Sequence, residues 1–224
     1  MTTARASHPS RRSAPAGAVA AATAVGVVLG GVMAATAVVR RSKPVHPRGA
    51  VVDARLAVTA EEAALGALGT PGVLPVVARF SRAVGLPPGW PDLQGLALRW
   101  SGASGPNDLL LASTRAGRIG RFLLSVRRRA RGSFGSLMPF ATALGPVVVS
   151  AVPVPGEWAL ELRWAVGLGR WRPVGVLRWE RPPAADALLR FEPVGNCPDG
   201  LATYPWADRL RRYAYGWSRA TWRG

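Results

Sequence analysis

Short strand-like segments dominate the pattern of apolar and polar residues after residue 48. Between Ala50 and Val58 every second side chain is apolar, and Asp53 and Arg55 lie on the opposite face of the predicted strand. Similar apolar runs, bounded by Gly, Pro or Asn, predict further strands at 73–81, 95–100, 108–113, 147–152, 157–166 and 174–179. We therefore predict a mainly β protein, a barrel or a sandwich, with frequent turns.

Few segments have the pattern of a helix. Ala60 to Leu68 predicts a short helix, with Thr59 as its N-cap and acidic residues in its first turn. Ile119 to Arg129 predicts an amphipathic helix, and Asp208 to Trp222 predicts a C-terminal helix. The fold class expected from the pattern is thus mainly β with a few helices.

An uncharged segment precedes the predicted strands. Residues 13–39 carry no charge, and a helix of this length is long enough to cross a bilayer core of about 30 Å. We predict a basic tail at 1–12, a single-pass transmembrane signal anchor at 13–39 and a folded domain at 40–224. Basic residues flank both ends, so the orientation stays open. A cleaved signal peptide, with secretion after Ala35-Thr36-Ala37, is the first alternative, and a buried or disordered Ala/Gly-rich tail is the second.

The chain is strongly basic, with a formal net charge of +17. Only three of its 29 basic residues precede residue 40, so the remaining 26 exceed the 12 acidic residues by 14. The densest cluster is Arg127-Arg128-Arg129 with Arg131, and no nucleic-acid-binding motif accompanies it. We therefore expect an arginine-rich surface beside an anionic membrane, and no specific nucleic-acid partner.

Histidine and cysteine are scarce, and this limits the chemistry. The single cysteine, Cys197, excludes an intramolecular disulfide. The chain has only His8 and His46, which excludes a zinc site or metallophosphatase centre with several histidines. Because His8 lies in the charged tail, His46 is the one imidazole that the folded part offers for acid–base chemistry near neutral pH.

An ordered series of motifs resembles the haem-dependent catalase superfamily in a short, minimal form. The series covers about residues 43 to 219. It consists of Val45-His46-Pro47-Arg48-Gly49, Ala78-Arg79-Phe80-Ser81, residues 91–100 with Asp108-Leu109-Leu110, Phe191-Glu192-Pro193, Pro198-Asp199-Gly200-Leu201, and Arg211-Arg212-Tyr213-Ala214-Tyr215. The resemblance implies a catalase-like antiparallel β-barrel and haem as the cofactor.

The resemblance also implies roles on the distal side of a haem. His46 matches the histidine that moves the peroxide proton, and Ser81 matches the serine that hydrogen-bonds this histidine. Arg79 matches the arginine that pairs with a haem propionate, and Lys43 stands where catalases carry a further arginine. From the residues alone, Arg79 in its apolar strand needs a partner, and Asp92 or Asp108 would serve as well as a propionate.

On the proximal side, the resemblance implies a tyrosinate iron ligand with an arginine four residues before it. Arg211 and Tyr215 fit this spacing, and so do Arg209 and Tyr213. We favour Tyr215 as the metal ligand, since Arg211 would lie one helical turn away on the same face. The alternative is that these tyrosines form the apolar face of a terminal helix that packs on the barrel.

The chain departs from catalases at several positions, and these departures shape the expected function. Ser113 stands near the place of the distal asparagine, Pro47 follows the histidine, and the chain is much shorter than a catalase. We therefore expect a peroxidase-like activity on peroxide or a small apolar hydroperoxide. One alternative is a haem-free protein of the same fold that binds a ligand or acts as a structural membrane-associated module. Another is a phosphodiesterase, which no cluster of metal ligands in the sequence supports.

Overall fold

The computed structural model describes residues 49–83, 89–103, 105–129, 132–185, 189, 191–192 and 195–207. The predicted transmembrane segment at 13–39 and the predicted helix at 208–222 lie outside these residues. In the described ranges, no helix combines the length and the apolar character needed to cross a membrane.

The regular elements of the described residues are twelve β-strands, two short 3-10 helices and the helical residues 205–207. The long strands are Gly49–Val58 (β1), Gly72–Arg82 (β2), Asp92–Ser101 (β3), Pro106–Ser113 (β4), Gly145–Pro153 (β8), Ala159–Val166 (β9) and Arg172–Arg178 (β10). The short strands are Val126–Arg127 (β5), Phe134–Gly135 (β6), Phe140–Thr142 (β7), Ala184–Ala185 (β11) and Ala202–Thr203 (β12).

Eight of these strands close into an antiparallel barrel. The order around the barrel is β8, β6, β4, β3, β2, β1, β10 and β9, and the pairing of β9 with β8 completes the circle. The remaining short strands branch from this barrel: β7 pairs with β8 and β12 with β7, β5 pairs with β3, and β11 pairs with β1. The predicted fold class is confirmed as mainly β and barrel-like.

The barrel closes because one face of each long strand is apolar. In β1, Val52, Ala54, Leu56 and Val58 are buried while Asp53 and Arg55 face solvent. The same alternation on the other strands fills the interior with side chains, which include Leu96, Leu98, Leu109, Phe134, Val149, Leu162, Trp164 and Leu177. Burial of this apolar surface is the main stabilising contribution to the fold.

The first predicted helix is shorter than expected and differs in type. A 3-10 helix spans Ala63–Gly69, with Gly66 at φ 57° and ψ −130° breaking it in the middle. The predicted cap Thr59 does not start it, because its backbone N–H donates to the Val174 carbonyl of β10 at 2.9 Å. The Glu62 carboxylate caps the helix instead and accepts from Ala64 N at 3.3 Å.

The predicted amphipathic helix at 119–129 is wrong. Only Gly120–Phe122 forms a 3-10 turn, and β5 at Val126–Arg127 then pairs with β3. The side chain of Arg121 is buried and donates to carbonyl oxygens of the β9–β10 turn. These tertiary bonds hold the segment extended along the barrel wall, since they outweigh a modest helical preference.

Candidate functional site

A row of small side chains crosses the outer face of the barrel. Residues opposite each other in antiparallel strands share a face. The register pairs members of this row across six strands in the order Gly49, Ser81, Gly95, Ala112, Gly135 and Ser150. The neighbouring row contains Val51, Arg79, Ala97 and Leu110. Together these rows form a smooth strip with one cationic side chain on β2.

Arg79 folds back over the start of β1. A Cβ atom built on Gly49 would lie 2.9 Å from Cζ, Nε and Nη2 of Arg79, so the guanidinium rests against the Gly49 backbone. Glycine at position 49 therefore leaves room for this side-chain orientation. The planar guanidinium is half-buried on the outer face, in the row next to Ser81.

Two of the buried serines bond the barrel backbone. Ser150 donates to the Phe134 carbonyl at 2.7 Å, and Ser136 accepts from Val149 N at 3.3 Å. Ser81 is 8% exposed and lies opposite Gly49 in the row of small side chains. A serine hydroxyl can donate one hydrogen bond and accept two, so it can bond a ligand or a catalytic group.

Ser113 is committed to the backbone of the barrel. It is fully buried, its Oγ donates to the Ser125 carbonyl at 2.6 Å, and it accepts from Gln94 N at 3.0 Å. These bonds join β3 and β4 to the segment that carries β5. The hydroxyl that stands near the place of the catalase distal asparagine therefore has a structural role.

The structure brings together two of the predicted site residues, Arg79 and Ser81, on adjacent rows beside Gly49. The predicted residues Lys43, His46, Arg211 and Tyr215 lie outside the described residues, as do the alternatives Arg209 and Tyr213. Among the described residues, no group of three or more His, Cys, Asp or Glu side chains is placed to hold a metal ion.

The two carboxylates considered as partners of Arg79 are contacted by other arginines. Arg99 forms a bidentate pair with Asp108: Nε donates to Oδ1 at 2.6 Å, and Nη2 donates to Oδ2 at 2.7 Å. Arg82 lies beside Asp92, with Nε to Oδ2 at 3.5 Å. The hydrogen bonds that Arg99 donates to Asp108 raise the pKa of Arg99.

Asp108 also attaches the segment that follows the barrel. Its Oδ2 accepts from Glu192 N at 2.7 Å and from Asn196 Nδ2 at 3.0 Å, and Asp108 N donates to the Asn196 carbonyl at 2.7 Å. The Arg99 guanidinium lies 4.7 Å from the centre of the Phe191 ring. The late motif containing Phe191 and Glu192 therefore contacts the barrel at a buried charge pair.

A second contact fastens the motif at residues 198–201. Asp199 Oδ2 accepts from Asn107 Nδ2 at 3.2 Å and from Ala103 N at 3.0 Å, and Asp199 N donates to Asn107 Oδ1 at 3.1 Å. Sequence reasoning noted Asp108 and Asp199 within motifs but missed their docking role. The only signal in the sequence was an acidic residue within each motif, and it does not indicate which partner that residue meets across the barrel.

Comparisons with known proteins support the fold. No protein-family profile matches the sequence, and no curated protein matches it. Among solved structures, the chain is similar to one described as a bacterial catalase, with a TM-score of 0.56 and 14% sequence identity. The fold is catalase-like. The match covers 80% of this chain and 56% of that catalase, so the chain spans about half of its length. At this identity the likeness shows the fold alone.

Proposed function

We propose that this protein binds haem on the outer face of its barrel and acts on peroxide or on a small organic hydroperoxide. The observation that carries the proposal is the placement of Arg79 and Ser81 beside Gly49 on one face of β1 and β2. The catalase-like resemblance implies that Arg79 pairs with a propionate and that Ser81 orients the distal histidine.

The described residues fit one edge of such a group. Within the strip, Gly49, Ser81, Gly95, Ala97 and Ala112 have small side chains or none, which suits the close approach of a flat ligand. The Arg79 guanidinium at its side is a planar donor that matches a carboxylate in a bidentate manner. Haem, when bound, supplies an iron that accepts one oxygen of a peroxide.

The protein side of the reaction depends on a proton acceptor and donor near the peroxide. We assign this role to His46. It precedes Gly49 by three residues, and three residues of extended chain span at most about 11 Å, so His46 must lie near the strip. The Ser81 hydroxyl would hold the imidazole in one tautomer by a hydrogen bond. Tyr215 would bind the metal, and the cation of Arg211 would favour its ionised form.

An absorption spectrum of the full-length chain, expressed with haem supplied, tests the proposal. We expect a stoichiometric Soret band that shifts in Tyr215→Phe and stays unchanged in the matched variant Tyr213→Phe. His46→Ala should retain the Soret band and lose peroxide turnover. A shift in Tyr213→Phe instead would transfer the ligand role to Tyr213.

The haem-free alternative gives a different result in the same experiment. A chain that circular dichroism shows to be folded, and that has no Soret band after haem titration, would overturn haem binding. Arg79→Leu separates the two outcomes further, because it should weaken haem binding and leave the circular dichroism spectrum unchanged. If haem binds equally well in Arg79→Leu, the strip beside Gly49 is not where its propionate lies.

A further inference from the structure

Three connections meet on one part of the barrel surface. They are the segment after β4 at 115–123, the β7–β8 turn at 143–144 and the β9–β10 turn at 167–171. Arg118 Nε donates to the Leu168 carbonyl at 3.1 Å, and Gly167 N donates to the Pro146 carbonyl at 2.7 Å. We call the surface formed by these three connections the loop face.

The loop face has a rigid base. Arg121 is only 5% exposed, donates to the carbonyls of Gly167 at 3.2 Å and Gly169 at 3.0 Å, and lies 4.0 Å from the centre of the Trp171 ring. Burial lowers the pKa of Arg121, and the nearby cation of Arg118 lowers it further. The turn of β9–β10 is thereby fixed against the segment after β4.

Apolar side chains project from this base into solvent. Ile119 is 71% exposed and Leu168 is 53% exposed, and Leu144 and Val166 are exposed by 39% and 38%. Single exposed apolar residues are ordinary, but these four aliphatic tips, three on the connections and Val166 at the end of β9, form a patch that favours an apolar partner.

The charges around the tips have one sign. No Asp or Glu occurs between Asp108 and Glu157 or between Glu161 and Glu180 in the sequence. Exposed cations of the loop face are Arg115, Arg118 and Arg170, and the exposed Arg172 follows at the start of β10. A cleft of about 490 Å³ opens beside them, and it is lined by Trp164, Val166, Gly169, Arg170, Trp171 and Arg172.

We propose that the loop face docks on the surface of an anionic lipid bilayer. Its aliphatic tips would enter the boundary between headgroups and acyl chains, and its arginines would contact lipid phosphates. The aliphatic character of the tips favours a membrane over a nucleic acid, because single-stranded nucleic acids are held by aromatic stacking on exposed rings.

Local labels test the contact in the full-length chain. Because segment 13–39 is itself predicted to insert, overall binding to vesicles would not report on the loop face. We would introduce Ile119→Cys or Leu168→Cys in a Cys197→Ser background and attach an environment-sensitive fluorophore. Val73→Cys, at a 62% exposed apolar position on β2, is the matched control.

The expected result is a blue shift at both loop-face positions with mixed phosphatidylglycerol–phosphatidylcholine vesicles, quenching by brominated acyl chains, and no change at Val73. Arg115→Gln with Arg170→Gln should lower the docking equilibrium constant about 25-fold, since each arginine near an anionic surface contributes about fivefold. These residues are exposed, so thermal unfolding of the variants should match that of the parent.

Three outcomes would overturn the proposal. An equal response at Val73 and at the loop-face labels would mean that the vesicle contacts the domain without preference. A blue shift with single-stranded RNA, combined with no response to anionic vesicles, would make the loop face a nucleic-acid surface. A response to pure phosphatidylcholine vesicles equal to that with anionic lipid would contradict the role of the arginines.

Discussion

Asp108 and Arg99 face each other on neighbouring strands and form a two-point ion pair on the outer wall of the barrel, with 2.6 and 2.7 Å between the paired atoms. The carboxylate is fully buried, and it accepts two further hydrogen bonds, from Glu192 N and from Asn196 Nδ2. One acidic side chain thus joins a strand pair to the chain that follows the barrel.

Removal of the Asp108 charge should destabilise the protein strongly. In Asp108→Ala the Arg99 guanidinium and the Glu192 N–H lose their acceptor, and we expect a loss of about 3 kcal/mol in the free energy of unfolding. Urea denaturation measures this change. The exposed pair of Glu157 and Arg178, at 3.0 Å, provides the control, and Glu157→Gln should cost less than about 1 kcal/mol. Equal losses in the two variants would contradict a docking role for Asp108.

Gly49→Ala probes the orientation of Arg79. The new Cβ would lie 2.9 Å from the guanidinium, which is the movable end of a long side chain, so the guanidinium shifts and stability changes little. We expect haem affinity to fall about tenfold, as for the loss of one charge-assisted hydrogen bond. Haem titration measures the affinity. Gly195→Ala is the control, since a Cβ there meets no atom within 4 Å, and equal affinities of the two variants would speak against Arg79.

Ser113→Ala should lower stability without a specific effect on chemistry. The substitution leaves the Gln94 N–H and the Ser125 carbonyl without their buried partner, at a cost of about 1–3 kcal/mol. Peroxide turnover per folded molecule should stay at the parent value. Ser81→Ala should show the reverse pattern, with little loss of stability and a clear loss of turnover. A loss of turnover in folded Ser113→Ala would restore this serine as a distal residue.

The contact between Gly66 and Gly200 should tolerate no side chain. Gly66 has φ 57°, and a Cβ on it would lie 1.9 Å from the Asp199 carbonyl oxygen, which is backbone. We expect Gly66→Ala to cost about 3 kcal/mol, as left-handed strain and overpacking add together. Gly89 has φ 88°, and a Cβ on it would meet no atom within 4 Å, so Gly89→Ala should cost only about 1 kcal/mol. Similar melting temperatures for the two variants would contradict the contact.

A surface ion pair on β9 predicts a small effect of pH. The hydrogen bond from Arg163, at 2.5 Å, lowers the pKa of Glu161 below its ordinary value. The pair therefore contributes its full stability at pH values above the ordinary pKa of a glutamate. This contribution is lost as the pH falls through the lowered pKa of Glu161. Both side chains are about one third exposed, so we expect less than about 1 kcal/mol. Glu161→Gln should remove this part of the decrease in the free energy of unfolding at acid pH, as measured by chemical denaturation. An unchanged decrease in the variant would contradict a contribution from this pair.

The sequence by itself determined most of the strands. Alternation of apolar and polar residues placed β1 within one residue of its observed bounds. Successive side chains of a strand point to opposite faces, so a strand with one buried face has an apolar residue at every second position. The ordered motifs also indicated the catalase-like barrel. Prediction of the short strands β6 and β7 failed, since two or three residues are too few to show any period.

Only the tertiary structure decided which polar residues act together. The segment at 119–129 has a helical pattern, yet Arg121 meets carbonyls of Gly167 and Gly169, and these bonds draw the chain into an extended path. Asp108 and Ser113 lie close together in sequence, but one binds Arg99 and the late segment while the other binds Gln94 and Ser125. The register of the closed barrel sets these partners, because it fixes which distant backbone and side-chain groups lie opposite each residue.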